Sequence, residues 1–217
     1  MLNEALINEI GIASVETIYM VVVSSLLSVL IGMPLGLLLF ASKKNGLAAK
    51  PIFFQSLNLL SNIFRSIPFI ILLALLIPVT RFIVGSSIGS TATIVPLTIG
   101  AIPFFAKLTQ NIFEELPYGL IEAGRSLGAT PTQIIVKMLM PDALPALINA
   151  ITVLMITLVS YSAMAGAIGG GGLGALAIDY GYQRFEFSVL LITVVLLVIL
   201  VQAIQWLGDR ISQYYVH

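Results

Sequence analysis

Long runs without a charged residue alternate along the chain with short segments where charge returns. Residues 17–42, between Glu16 and Lys43, contain no Asp, Glu, Lys or Arg. A membrane core about 30 Å thick needs a helix of roughly 20 residues, so this run predicts span one. After the polar connection Lys43-Lys44-Asn45-Gly46, residues 63–84 read as span two, with Arg65 and Arg81 near enough to its ends to reach the interfaces. The Gly- and Ser-rich stretch 85–90 has turn composition, and the apolar run after it, to about Phe113, predicts span three with Lys107 near one end. From Glu114 to Asp142 polar and charged residues return at helical spacing. Each would cost roughly 2.5–3.5 kcal/mol at the bilayer centre, so this segment is predicted to be a loop in water. Residues 143–165 predict span four, residues 166–174 a flexible glycine loop, and residues 187–208 span five. The expected fold is all-α and integral to the membrane, with five transmembrane helices forming a single domain over residues 1–217.

Composition agrees with the pattern: 59% of residues are hydrophobic, 9% are charged and the mean hydropathy is +1.07, far from the soluble range. Lys and Arg concentrate on the side that retains positive charge. With the N-terminus outside and the C-terminus in the cytoplasm, Lys43, Lys44, Lys50, Arg65, Lys107, Arg125, Lys137 and Arg210 fall inside, and only Arg81 and Arg184 outside. That count places residues 114–142 in the cytoplasm of a cell with a multi-pass inner membrane protein. Glu4, Glu9 and Glu16 precede the first basic residue, the reverse of a signal peptide, so span one is expected to be retained. Zero net charge and the lack of a basic stripe argue against nucleic acid. Cysteine is absent and the one histidine is the terminal His217, so thiolate chemistry is excluded and imidazole chemistry or a metal site is not expected.

No GxxxxGK[ST] occurs, so the chain carries no P-loop and any ATP is expected on a partner. Gly169, Gly171 and Gly174 satisfy GxGxxG without the strand and βαβ context that give it meaning. Gly85-Ser86-Ser87-Ile88-Gly89 fits GxSxG, but neither a strand-to-helix elbow nor a histidine accompanies it. In span one, Gly32 and Gly36 form a GxxxG pair that permits close helix approach. Prolines recur in or beside the spans at 34, 68, 78, 96, 103 and 145, where each is either a packing irregularity or a bend.

The most informative stretch is 122–141, Glu122-Ala123-Gly124-Arg125-Ser126-Leu127-Gly128-Ala129 followed by Thr130-Pro131 and ending Met138-Leu139-Met140-Pro141. Ala123, Gly124 and Gly128 leave a short helix with little side-chain bulk, suited to being held in another protein's groove, with Leu120, Ile121 and Leu127 as apolar anchors. Thr130 and Pro131 read as N-cap and first residue of a second short helix. An amphipathic helix lying on lipid is the competing reading. The stretch resembles the EAA loop of binding-protein-dependent ABC importers, matching at Glu122, Ala123, Gly128 and Pro141. It departs from the family pattern at Gly124, Met138 and Met140. Residues 62–69, 94–100 and 161–174 extend the resemblance to the methionine-importer permeases. The resemblance implies a type I ABC importer permease fold and a homodimer. It also implies two copies of an ABC ATPase carrying ATP-Mg, an extracytoplasmic substrate-binding lipoprotein and methionine as substrate. The chain itself binds no cofactor and is not catalytic alone. In that reading Glu122, Ala123, Gly124, Gly128, Ala129 and Pro141 form the ATPase-coupling element.

Span four carries a semi-polar face. At about 100° per residue, Asn149, Thr152, Thr157, Ser160 and Met164 share one side. They either bond neighbouring helices or line a pathway at the dimer axis, with Met164 as a gate beside the glycine loop. A permease for another small amino acid stays open, as does an ion-coupled secondary transporter. The latter would be expected to show buried ionisable residues in the spans and internal repeats, which this sequence lacks.

Overall fold

The computed structural model describes residues 4–44 and 46–215, leaving Asn45 and His217 outside the described residues, and among these no strand occurs. Ten α-helices follow in order: α1 Glu4–Ser42, α2 Pro51–Ser66, α3 Phe69–Leu75, α4 Ile77–Val84, α5 Ser90–Glu115, α6 Tyr118–Ser126, α7 Pro131–Ile134, α8 Met140–Gly166, α9 Gly172–Leu176 and α10 Phe187–Tyr214. Two π-helical turns, Ile135–Leu139 and Ala177–Gln183, continue α7 into α8 and extend α9. Four helices are long and apolar enough to span a membrane: α1, α5, the continuous helix Pro131–Gly166, and α10. The bent pair of α2 and α3 makes up the fifth.

Span two differs from the expected straight helix. The chain bends by 102° between α2 and α3. Pro68 disfavours helical backbone at the residue before it, and Ile67 is accordingly extended at φ −81°, ψ 123°. Residues 63–66 therefore belong to α2. The 16 residues of 69–84, interrupted at Leu76, reach only about 24 Å, less than a full hydrocarbon thickness. Span one differs in the other direction, because α1 starts at Glu4, well before residue 17. At 39 residues it is about 58 Å long. Its N-terminal part is held by side chains that the charge count had marked as an end. Glu16 accepts a bond from the Gly172 N–H at 2.8 Å, Thr17 Oγ1 accepts one from the Leu173 N–H at 2.9 Å, and the Tyr180 hydroxyl donates to Glu9 at 2.8 Å.

Those contacts overturn the expectation of a flexible loop at 166–174. Gly172, Leu173 and Gly174 are buried in α9, and Leu173 and Leu176 pack with Ala13 of α1. Gly174 fits only because it lacks a side chain: a Cβ there would stand 2.5 Å from the Ala163 carbonyl oxygen of α8. The glycines let α9 fold back against α1 and α8.

The seam of α1 against α5 is the most extensive in the bundle. A Cβ at Gly36 would sit 2.5 Å from both the Ala106 carbonyl oxygen and Thr109 Cβ, and one at Gly32 would sit 3.0 Å from the Ile102 carbonyl oxygen. Lipid provides no hydrophobic drive for helix association, so such close backbone approach carries the packing. Around the seam a central core joins Met20, Phe69, Leu97, Phe105, Leu154 and Leu158, and Phe69 stacks on Tyr161 with ring centroids 4.1 Å apart. Pro34, Pro96, Pro103 and Pro145 are accommodated inside helices.

Replacing Gly36 by Leu should overpack the seam, at a cost of about 1–3 kcal/mol or more. Gly11→Leu has open space around it and should change little. Denaturant unfolding in detergent, followed by circular dichroism, reads the difference directly.

Candidate coupling helix and pathway face

At one end of the bundle the helix α6 and the start of the helix 131–166 form a hairpin. Leu127 caps α6, Gly128 turns left-handed at φ +73°, the Gly128 N–H bonds the Arg125 carbonyl at 3.0 Å and the Ala129 N–H bonds the Gly124 carbonyl at 3.0 Å. This pair of bonds is a Schellman motif, and glycine is the residue that adopts its left-handed position without strain. Thr130 then caps α7. Its Oγ1 accepts from the Gln133 N–H at 3.3 Å while Gln133 Oε1 accepts from the Thr130 N–H at 2.8 Å, a reciprocal capping box with Pro131 at the first helical position.

The expected cap is therefore present, but the second helix is not short. It passes through the π turn at 135–139, where the Met140 N–H reaches back to the Ile135 carbonyl, and continues as α8. The wide turn lies immediately before Pro141, which lacks an N–H and whose ring would press on the carbonyl four residues back in a regular helix.

The small residues of 122–129 divide into two sets. Gly124 is buried and faces its own chain: a Cβ there would lie 2.8 Å from Ile134 Cγ1 and 2.9 Å from Met138 Sδ. Ile121 is likewise turned inward, into a cluster with Phe113, Ile134, Leu139 and Leu147, and Leu120 packs on its margin. Of the three apolar anchors expected to face a partner, only Leu127 points outward, at 82% exposure. Glu122, Ala123 and Gly128 are exposed, Ala129 is half-buried, and Pro141 is exposed at the start of α8. No Cβ contact lies within 4 Å of Gly128, so the space above it is open. One face of α6 is thus bare, and its other face is fixed to the helix that becomes α8.

A polar chain absent from the sequence reading crosses the same end of the bundle. Lys107 Nζ donates to Asn58 Oδ1 of α2 at 3.1 Å and to Gln110 Oε1 at 2.9 Å, Gln110 Nε2 donates to Glu114 Oε1 at 2.6 Å, and Glu114 Oε2 pairs with Lys43 at 2.9 Å. It ties α2, α5 and the end of α1 together. The signal was the spacing Lys107, Gln110, Glu114, which puts all three on one helix face.

Further along α8, Ser160 and Met164 line an open, mainly apolar groove of about 660 Å³, shared with Ile70 of α3, Ile178, and Val198 and Gln202 of α10. Met164 is 46% exposed there. Gln202 is the groove's one amide, and an amide inside an otherwise apolar run was the sequence signal for it. The rest of the predicted stripe does not meet at this groove. Thr152 is buried against Gly208 of α10, which makes it a packing residue. Thr157 donates to the Val153 carbonyl at 2.8 Å, and Asn149 is exposed nearer the α6 end. Among the described residues no cluster of His, Cys, Asp or Glu could hold a metal.

The family model for binding-protein-dependent transport system inner membrane components matches residues 32–213. The chain belongs to that family. Among individual permeases of the family, it is 50% identical to the probable D-methionine transport system permease protein MetI of Vibrio cholerae over 199 residues, covering 92% of this chain and 88% of that one. It is 52% identical to the D-methionine transport system permease protein MetI of Escherichia coli K12 over 151 residues, 70% of each chain. A solved structure of the inward-facing MetNI methionine ABC transporter aligns over the full length of both chains with TM-score 0.98 and 48% identity. An amino acid ABC transporter solved with histidines shares the fold at TM-score 0.79 and 19% identity.

Three substitutions separate the roles of the two hairpin glycines. Gly128→Ala should cost about 1–2 kcal/mol through its left-handed backbone, with Gly128→Asn recovering most of it. Gly124→Val should detach α6 from Ile134 and Met138 and open residues 127–131 to protease without unfolding the spans. Limited proteolysis and amide exchange of α6 measure both.

Proposed function

We infer that this chain is the membrane permease subunit of an ATP-driven importer for methionine. The observation that carries the reading is the full-length agreement with the MetNI permease at 48% identity, together with a hairpin at 118–134 that leaves the bare face of α6 available to a second protein. The chain works as a homodimer with two ATPase subunits, which hold the ATP-Mg, and an extracytoplasmic binding lipoprotein delivers the substrate. The N-terminus is outside and the C-terminus and α6 are cytoplasmic, in keeping with the distribution of Lys and Arg.

Glu122, Ala123, Gly128 and Ala129 form the surface of α6 that seats in the ATPase. Gly124 and Pro141 act within the chain, the first by joining α6 to α7 and the second by shaping the start of α8. Because Gly124 and the Ile121 cluster leave little slack, displacement of α6 by the ATPase carries the helix 131–166 with it. Ser160 and Met164, about seven turns further along that helix, then move relative to α10. The groove they line lies at the subunit interface in this reading, with Met164 as the gate. Asn149 and Thr157 extend the pathway toward the α6 end. A net-neutral amino acid needs no buried counter-charge along such a route, and the binding protein supplies selectivity.

In proteoliposomes containing the chain and its ATPase, labelled methionine should accumulate only with ATP-Mg on the ATPase side and with binding protein on the other. Uptake driven by a proton or sodium gradient without the ATPase would overturn the reading. A different amino acid taken up in preference to methionine would overturn the substrate alone. For orientation, cysteines replacing Ala5 and Tyr214 should react with an impermeant reagent from opposite sides, Ala5→Cys from outside.

A further inference from the structure

Away from the pathway groove, the α6 end of the bundle holds a second cavity of about 380 Å³, enclosed by the end of α1, the connection after it, the end of α5 and α6. Its rim is cationic, with Lys43, Lys44 and Arg125 beside the Tyr118 hydroxyl and a single carboxylate, Glu114. Its floor is apolar, formed by Phe40, Phe113 and Ile121, all buried.

The charges are not balanced within the site. Glu114 accepts from Lys43 at 2.9 Å and from the Gln110 amide at 2.6 Å, so its two oxygens are already engaged. Three cations against one carboxylate leave an excess of two positive charges, carried by Lys44 and Arg125. Arg125 is held in place rather than neutralised: one nitrogen donates to the Gly46 carbonyl at 3.3 Å and another to the Tyr118 hydroxyl at 3.5 Å. These are neutral acceptors, and guanidinium donors remain for a ligand.

The cavity also has a defined depth. The long apolar helices α1 and α5 both end at it, and charge returns there at Lys43, Lys44, Glu114 and Glu115, which puts it at the level of the membrane interface. A ligand here meets cations on the outer side and aromatic and aliphatic surface on the inner side, which is the layout of a lipid headgroup joined to its acyl chains. Basic pockets between spanning helices at this level suit anionic phospholipid heads.

We propose that this cavity binds the headgroup of an anionic phospholipid, with the phosphate against Lys44 and Arg125 and the glycerol and first acyl methylenes over Phe40 and Phe113. A bound lipid there would brace α6 against the end of α1, through Arg125 and Gly46. The proposal goes beyond the transport reading and does not depend on the identity of the transported solute.

The test uses the full chain with its ATPase in neutral detergent, and measures the thermal unfolding midpoint with added phosphatidylglycerol, phosphatidylcholine of the same acyl chains, or inorganic phosphate. Phosphatidylglycerol should raise the midpoint in a saturable manner, and the other two should not. Each basic residue facing an anionic headgroup is worth roughly fivefold in binding, so K44Q/R125Q should weaken the phosphatidylglycerol response roughly 30-fold. K44R should keep it. The single variant K44Q, at an exposed side chain, should lose roughly fivefold and serves if the double variant does not fold.

An equal rise with phosphatidylcholine would mean general lipid solvation and overturn the proposal. So would an equal rise with inorganic phosphate, which would make this a free-anion site. Lack of any phosphatidylglycerol response, or an undiminished response in K44Q, would overturn it as well.

Discussion

Helices already immersed in lipid gain no hydrophobic free energy by meeting one another, so this bundle depends on how closely its backbones can approach. At Gly36 the α1 backbone comes so near Ala106 and Thr109 of α5 that a single methyl group would not fit, and the same is true of Gly174 against Ala163. Dispersion contacts are weak singly and fall away within about 1 Å. A seam that opened at these positions would lose many at once. Around this seam lie the central core, the folded-back α9 and the polar ties of the N-terminal part of α1 to it.

The same constraint extends to the α6 end of the bundle. Gly124 does for α6 and α7 what Gly36 does for α1 and α5, and it fixes the hairpin to a helix that continues through a π turn to Gly166. The result is a lever with one face bare and the other immobilised. A stiff connection of this kind passes a displacement along α8 instead of absorbing it in a loop.

Spans three, four and five were legible as apolar runs bounded by charges or by glycine-rich segments. So were the Thr130 cap and the Gly32–Gly36 pair, whose chemistry is local. Span two was not legible as drawn, because a proline's effect on the preceding residue competes with a continuous apolar run and hydropathy does not register direction. The N-terminal part of α1 was hidden because Glu16 reads as a boundary until its partner, the Gly172 N–H, is known. Residues 166–174 looked mobile because glycine permits motion and close packing alike, and only the neighbours decide which. For 122–129 the motif residues were identified, yet the inward face of Gly124 and Ile121 depended on Ile134 and Met138. On α8 the semi-polar stripe divides among packing at Thr152, a local bond at Thr157 and the groove at Ser160 and Met164.

The central claim is that α6 and the helix 131–166 move as one body during transport. The chain contains no cysteine, so a pair at Gly124→Cys and Ile134→Cys can be joined without background, and replacing Ile134 also frees the space that a side chain at position 124 needs. The account predicts that ATP-driven uptake in proteoliposomes is the same with this pair oxidised as with it reduced. Uptake that stops on oxidation and returns on reduction would mean that α6 must hinge against α7, and would contradict it.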